Sequence, residues 1–298
     1  MNRNENINTI GDEQMPGLYQ ASNKASIDSQ YVYYISLLVY LILLVVAAVV
    51  SYSSADSKVG TFLSALLFLI TLGILIFLRV KRPDDTWYNG RAVAESVKTR
   101  AWRWMMRAEP YLDIDRIEIA RKEFISDLKQ ILNQNRSIAG SLGHDEYLKE
   151  PISDEMLKIR LMAVSDRLAV YLNDRVNNQS IWYSKKSIFN KKRALLLFWA
   201  SVVLHLLAFI MLLLRVQTPT LNLPVEVVAT AAAAILTWLQ AKKHNELASS
   251  YSLAAHEIVL IKGEAVDIST EEYLSDYVVN TEAAFSREHT QWVARKSD

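Results

Sequence analysis

The sequence predicts an all-α polytopic membrane protein, with four transmembrane helices in two hairpins, a cytoplasmic helical bundle and an internal duplication. Three observations predict it. Hydrophobic residues fill 51% of 298 positions, whereas there are only eight glycines and six prolines, which favours long helices over turns. The apolar residues gather into long runs, most of them long enough to cross about 30 Å of hydrocarbon as a helix. The flanks of those runs also match in pairs.

Residues 1–30 form an N-terminal segment ahead of the first hairpin, 31–80. From Tyr31 the run "YVYYISLLVYLILLVVAAVV" carries no charge, and "TFLSALLFLITLGILIFL" follows after "SYSSADSK" and ends at Leu78. The first run is not a signal peptide, because it starts too far in and lacks a basic n-region with a small-residue cleavage site. Residues 81–193 read as cytoplasmic helices. The second hairpin, 194–240, holds "ALLLFWASVVLHLLAFIMLLL" and the weaker "VEVVATAAAAILTWLQ", which is short and rich in alanine and threonine. Residues 241–298 are C-terminal cytoplasmic helices. Pro83 breaks the exit of the first hairpin, whereas with no proline or glycine until Gly263 the fourth span reads as a stiff rod continuing past the membrane.

Basic residues beside the span ends set the orientation. Arg79, Lys81 and Arg82 follow span two. Lys185, Lys186, Lys191, Lys192 and Arg193 precede span three, and Lys242 and Lys243 follow span four. The two hairpin loops hold only Lys58 and Arg215. Both termini and the central region are therefore expected in the cytoplasm.

The hairpins read as copies. Tyr19 lies twelve residues before Tyr31, and Tyr183 twelve before Leu195. On the exit side, Trp87, Arg91, Glu95, Lys98 and Trp102 share one helical face, and Trp238, Lys242 and Glu246 repeat its aromatic, cation and acid at the same offsets. In both, the cation precedes the acid by four residues. That is the less favourable order within a helix, so pairing between helices is expected. The closing stretch "EAAFSREHTQW" places Glu282, Phe285, His289 and Trp292 on one face, flanked by Arg287 and Glu288. It reads as a docking helix that closes the bundle.

These segments, "WYNGRAVAESVKTRAWRWMMRAEPY", "WYSKKS" and "EAAFSREHTQW", resemble the SLATT-type bacterial membrane effectors, which combine a transmembrane hairpin with cytoplasmic helices. The resemblance covers the chain except its first fifteen or so residues and the stretch around "SIAGSLGHDEYLKEP". Two hairpins make it similar to a fused pair of single-hairpin members. What the resemblance implies is a pore-forming or membrane-perturbing effector in the bacterial inner membrane, used against phage. It also implies regulation by a cyclic or linear oligonucleotide from a partner nucleotidyltransferase.

Composition excludes other chemistry. A net charge of +1 gives no global field for nucleic acid. The absence of cysteine removes disulfides, cysteine-ligated metals and thiol catalysis. No zinc-protease helix, phosphate loop or serine elbow occurs, and the "SREH" run lacks the geometry of a triad assembled from distant segments. Neither enzyme activity nor a cofactor is expected. A transporter would want a helix broken at the membrane midplane, for which Gly73 is the sole hint.

Three groups remain as candidate sites. Glu226, Thr230 and Thr237 share a face of span four, and such a face lines an aqueous path once subunits assemble, or else packs closely against another helix. His205 lies mid-span, either as a functional ionisable group or as a neutral imidazole bonded to a neighbouring span. Arg100, Arg103 and Arg107 form a basic stripe beside Trp102 and Trp104, suited to a nucleotide, to lipid headgroups or to interhelical pairing. The expected function is an oligomeric pore, a ring with span four on its axis. The alternative is a non-conducting scaffold that recruits a soluble partner.

Overall fold

The computed structural model of the chain describes residues 10–112, 116–143 and 149–294, with side chains up to residue 286. Of the described residues 84% are helical, and none lies in a strand. Ten α-helices occur among the described residues: α1 Gly17–Ser53, α2 Lys58–Lys81, α3 Pro83–Met105, α4 Ile117–Gln134, α5 Asp154–Arg160, α6 Val164–Val170, α7 Asn178–Gln217, α8 Val225–Lys242, α9 His244–Gly263 and α10 Glu271–Ala294. Four helical runs are long and apolar enough to cross a membrane.

Local chemistry sets the helix ends. Ser57 caps α2, its side chain accepting from the Gly60 N–H, and Arg79 and Lys81 occupy the last turn, where the helix dipole favours cations. Proline at the first position of α3 costs no hydrogen bond, and Asp84 and Asp85 sit in its first turn. Ser153 caps α5 and Thr270 caps α10. Between α6 and α7 the chain winds as a π-helix, Tyr171–Asn177, within one continuous helical run.

The rod expected beyond span four is interrupted. Lys243 adopts a left-handed conformation with φ 48°, and its N–H bonds to the Gln240 carbonyl, ending α8 before α9 begins. Arg82 ends α2 in the same way, with φ 47° and a bond to the Leu78 carbonyl. A left-handed cap normally calls for glycine or asparagine. Arginine and lysine take it at a cost of about 1–2 kcal/mol; Pro83 marks the first break in the sequence, whereas neither glycine nor proline marks the second.

These breaks also revise the repeat. Trp87 lies after the first break, in α3, whereas Trp238 lies before the second, in α8. The exit-side matches therefore do not occupy equivalent places. The entry-side tyrosines do: Tyr19 and Tyr183 are both buried, each at the start of a helix that becomes a span.

The chain divides into two compact units. The span unit comprises Tyr31–Pro83 and Lys185–Tyr251. In it, the Tyr52 hydroxyl donates to the Asn222 carbonyl at 2.7 Å, and the Tyr34 and Trp238 rings meet edge to face. Those two contacts place α1 alongside α8. Leucine, isoleucine, phenylalanine and valine remain exposed along α1, α2 and α7, the surface expected of helices solvated by lipid. Gly73 lies inside unbroken α2, so the hinge wanted for a transporter is absent there.

The bundle unit comprises Met1–Gln30, Asp84–Ser184 and Ser252–Asp298. Its axis is α3, whose Val93, Ala94, Val97, Ala101, Trp102 and Trp104 are buried. The first turns of α1 cross α3 at Gly90, where an added Cβ would lie 3.0 Å from the Ser22 carbonyl oxygen. There the Ser26 hydroxyl donates to the Trp87 carbonyl. Phe124 of α4 packs on Trp104, and α10 lies along α3 through the Thr99–Glu282 and Arg103–Val279 hydrogen bonds.

Candidate functional site

In the span unit, α8 buries Val225 and Ala232 and leaves Glu226, Ala229, Ala233, Leu236, Thr237 and Gln240 exposed, with Thr230 half-buried beside them. Residues recurring at three- and four-residue intervals share a helix face, so this is an outward stripe of mostly polar and small residues with Leu236 among them. Glu226 pairs with Arg215 across the hairpin loop at 3.1 Å. The Thr230 and Thr237 hydroxyls donate to the carbonyls of Glu226 and Ala233 in their own helix. Their polarity is thus satisfied without a neighbouring helix. His205 is exposed on α7, and its ring meets the Ser201 carbonyl at 2.7 Å. Its hydrogen bonds among the described residues are to Ser201 alone, and none joins it to Glu226, Thr230 or Thr237.

In the bundle unit the sequence-predicted docking residues are internal. Arg91 and Glu95 pair along α3 at 2.6 Å, and Arg91 also donates to Asn23 of α1 at 3.5 Å, so a bond between helices accompanies the pair within one. Glu95 is nearly buried, and at low exposure a close ion pair outweighs the weak orientation preference measured on exposed helices. Lys98 reaches Asp12 at 3.1 Å and lies over the Tyr19 ring. Trp87 and Trp102 are buried, Trp102 edge-on to Tyr171.

Glu282 is the centre of this unit, at 0% exposure. Arg175 Nε and Nη2 donate to its two carboxylate oxygens, each at 2.8 Å. The Thr99 hydroxyl donates at 2.8 Å and the Tyr171 hydroxyl at 3.0 Å. The Arg175 guanidinium also lies over the Phe285 ring. Burial by itself would lower the pKa of Arg175, but the adjacent Glu282 carboxylate outweighs it and holds the guanidinium protonated. Burial and the same carboxylate push the Tyr171 hydroxyl well above its ordinary value. Asp174, on the same π-turn, accepts the Ile10 backbone N–H. The wide π-turn thus carries the side chains that grip both α10 and the N-terminal segment. π-Turns within α-helices recur at functional positions.

Comparison with known families bears on both places. The model described as SMODS and SLOG-associating 2TM effector domain 3 matches residues 16–168, and that described as SMODS and SLOG-associating 2TM effector domain 1 matches residues 171–292. The chain belongs to the SLATT family. No curated protein and no solved structure matches it.

The SLATT protein therefore carries two hairpin units, and SLATT domains are membrane effector domains of defence systems. The junction between its two matched regions falls at the start of the π-turn. Thr99 and Trp102 from the first SLATT domain meet Tyr171, Arg175 and Glu282 from the second, so the Glu282 cluster fastens one domain to the other. Arg287, Glu288, His289 and Trp292 lie outside the described side chains.

The three nucleotide candidates of the SLATT bundle are each engaged by their own chain. Arg100 pairs with Asp127 at 3.4 Å, Arg103 donates to the Val279 carbonyl, and Arg107 reaches Glu271 and the Arg160 carbonyl. Burial and the neighbouring Arg100 lower the pKa of Arg103. Sequence reasoning missed Arg160, Arg167 and Arg175. Arg160 donates to the Trp104 and Tyr111 carbonyls, and Arg167 to the Met106 carbonyl and Glu271. A usable signal existed, since Arg167, Tyr171 and Arg175 recur every fourth residue in "RLAVYLNDRV". Among the described residues no group of three His, Cys, Asp or Glu side chains is placed to hold a metal.

Proposed function

We propose that this SLATT protein is an oligomeric pore or ion channel of the bacterial inner membrane, the effector of a nucleotide-regulated anti-phage defence system. On this reading it dissipates ion gradients when open, and both termini face the cytoplasm. One observation carries the proposal: α8 turns Glu226, Thr230 and Thr237 away from its own packed face, while α1, α2 and α7 expose large apolar side chains. An ionisable carboxylate facing lipid is unfavourable, and such groups ordinarily face a bundle interior or a water-filled cavity; Thr230 and Thr237, bonded within their own helix, extend the same face without requiring it. Four spans in one chain are few to enclose a pore, so the α8 faces of several copies line it together. Ligand control through the bundle fits the resemblance, although the candidate arginines are held internally.

The chain has no cysteine, which permits a direct test. A single Thr237→Cys substitution in membranes, followed by oxidation, should give cross-linked dimers, whereas Val203→Cys on the apolar face of α7 should not. Efficient cross-linking at 203 but none at 237 removes α8 from the axis. The scaffold alternative has less support, because Glu282 and Phe285 of its recruiting stretch are buried in their own chain.

A further inference from the structure

We propose that the basic end of the span unit holds the phosphate of an anionic phospholipid between Lys242 and Arg193. Around Lys242, the ammonium lies 3.2 Å from the Tyr34 ring centroid and 4.9 Å from that of Trp238. Around Arg193, the guanidinium lies 5.4 Å from the Phe189 ring, which Lys186 also approaches at 5.9 Å. His244 bridges the two places. Its ring bonds to Asn190 at 2.7 Å and stands edge-on to Phe189, the ring that the Arg193 guanidinium faces, and the histidine follows Lys242 by two residues. Asn190 is in turn anchored to the Lys186 carbonyl. Three helices, α1, α7 and α8, and the first residue of α9 thus build one basic, aromatic-floored site.

Among the described residues the two charges there have no counter-ion. Among the described residues, neither Lys242 nor Arg193 has a carboxylate or any hydrogen-bond acceptor as partner. Aromatic faces position a cation, but an ammonium and a guanidinium still carry N–H groups that need acceptors. Phosphate oxygens supply them, and a guanidinium fork matches phosphate geometry. The location decides the source. Arg193 directly precedes the apolar run of α7, Trp238 closes that of α8, and Tyr34 opens that of α1. Tryptophan and tyrosine mark headgroup level, and basic pockets between spans at that level bind anionic headgroups.

The test is native mass spectrometry of the full-length protein in neutral detergent, titrated with phosphatidylglycerol or phosphatidylcholine. The paired variant Lys242→Gln, Arg193→Gln should weaken phosphatidylglycerol binding roughly tenfold or more, from the loss of two charge-assisted contacts. Arg79→Gln with Lys81→Gln, an equal charge change at the end of α2, should leave it nearly unchanged. Lys242→Arg with Arg193→Lys should restore most of the binding, separating lost charge from lost fold. Equal weakening by the α2 variant, equal affinity for phosphatidylcholine, or unaltered binding by the first pair overturns the proposal. Displacement of the lipid by millimolar inorganic phosphate assigns the site to a soluble ligand and also overturns it.

Discussion

Arg175 and Glu282, 107 residues apart in the chain, form a two-point ion pair from which solvent is excluded on both sides. Removing one member leaves a buried charge without its partner, which typically costs about 3–5 kcal/mol. Glu282→Gln should therefore lower the midpoint of bundle unfolding sharply, as followed by circular dichroism in detergent. Replacing both residues, as Arg175→Met with Glu282→Leu, should recover much of the loss. A single variant as stable as the parent contradicts the central place given to this pair.

Alkaline pH should loosen the same cluster. The Tyr171 hydroxyl has a raised pKa when folded, through burial and the Glu282 carboxylate. Its stabilising effect is present below the ordinary tyrosine value of about 10 and is lost as pH rises above it, because only the unfolded chain ionises readily. Stability should fall from about pH 10 upward. Tyr171→Phe should make that fall shallower without abolishing it, since Tyr19 and Tyr111 are shifted upward too, chiefly by burial. Unfolding measured between pH 8 and 11 checks this; an unchanged profile in the variant assigns the alkaline transition elsewhere.

Two glycines should answer oppositely to alanine. At Gly90 a Cβ would press on the Ser22 carbonyl and the Ser26 amide of α1, at 3.0 and 3.2 Å, and crowding of backbone typically costs about 1–3 kcal/mol. At Gly73 a Cβ meets nothing within 4 Å. Gly90→Ala should lower the melting temperature, and Gly73→Ala should keep or raise it.

The Arg215–Glu226 pair is exposed, with side-chain exposures of 38% and 67%. Pairs of that kind contribute little to stability and are screened by salt. Glu226→Gln should therefore melt with the parent protein, which makes it a clean probe of conduction; a large fall in melting temperature shows a structural role instead.

The sequence revealed much of this fold because its strongest signals are physical ones: uncharged runs of membrane length, and Tyr19 and Tyr183 placed alike before two of them. The break at Arg82 was legible from Pro83 beside it, whereas the break at Lys243 was hidden, since a left-handed cap on a lysine has no compositional mark. Glu282 was legible as a residue on a packing face. Its partner was not, because Arg175 and Tyr171 lie on a π-turn far away in the chain, and periodicity identifies faces without saying which faces meet. The basic stripe of Arg100, Arg103 and Arg107 looked like one surface in sequence, whereas tertiary packing sends each guanidinium to a different acceptor.

The most direct test of the pore is ion efflux from liposomes containing the purified protein, with and without a panel of cyclic and linear oligonucleotides, beside Glu226→Gln. The expected result is efflux that responds to a nucleotide and changes in selectivity or conductance with Glu226→Gln. Efflux no greater than that of empty liposomes under every condition, with the protein correctly inserted, would contradict it.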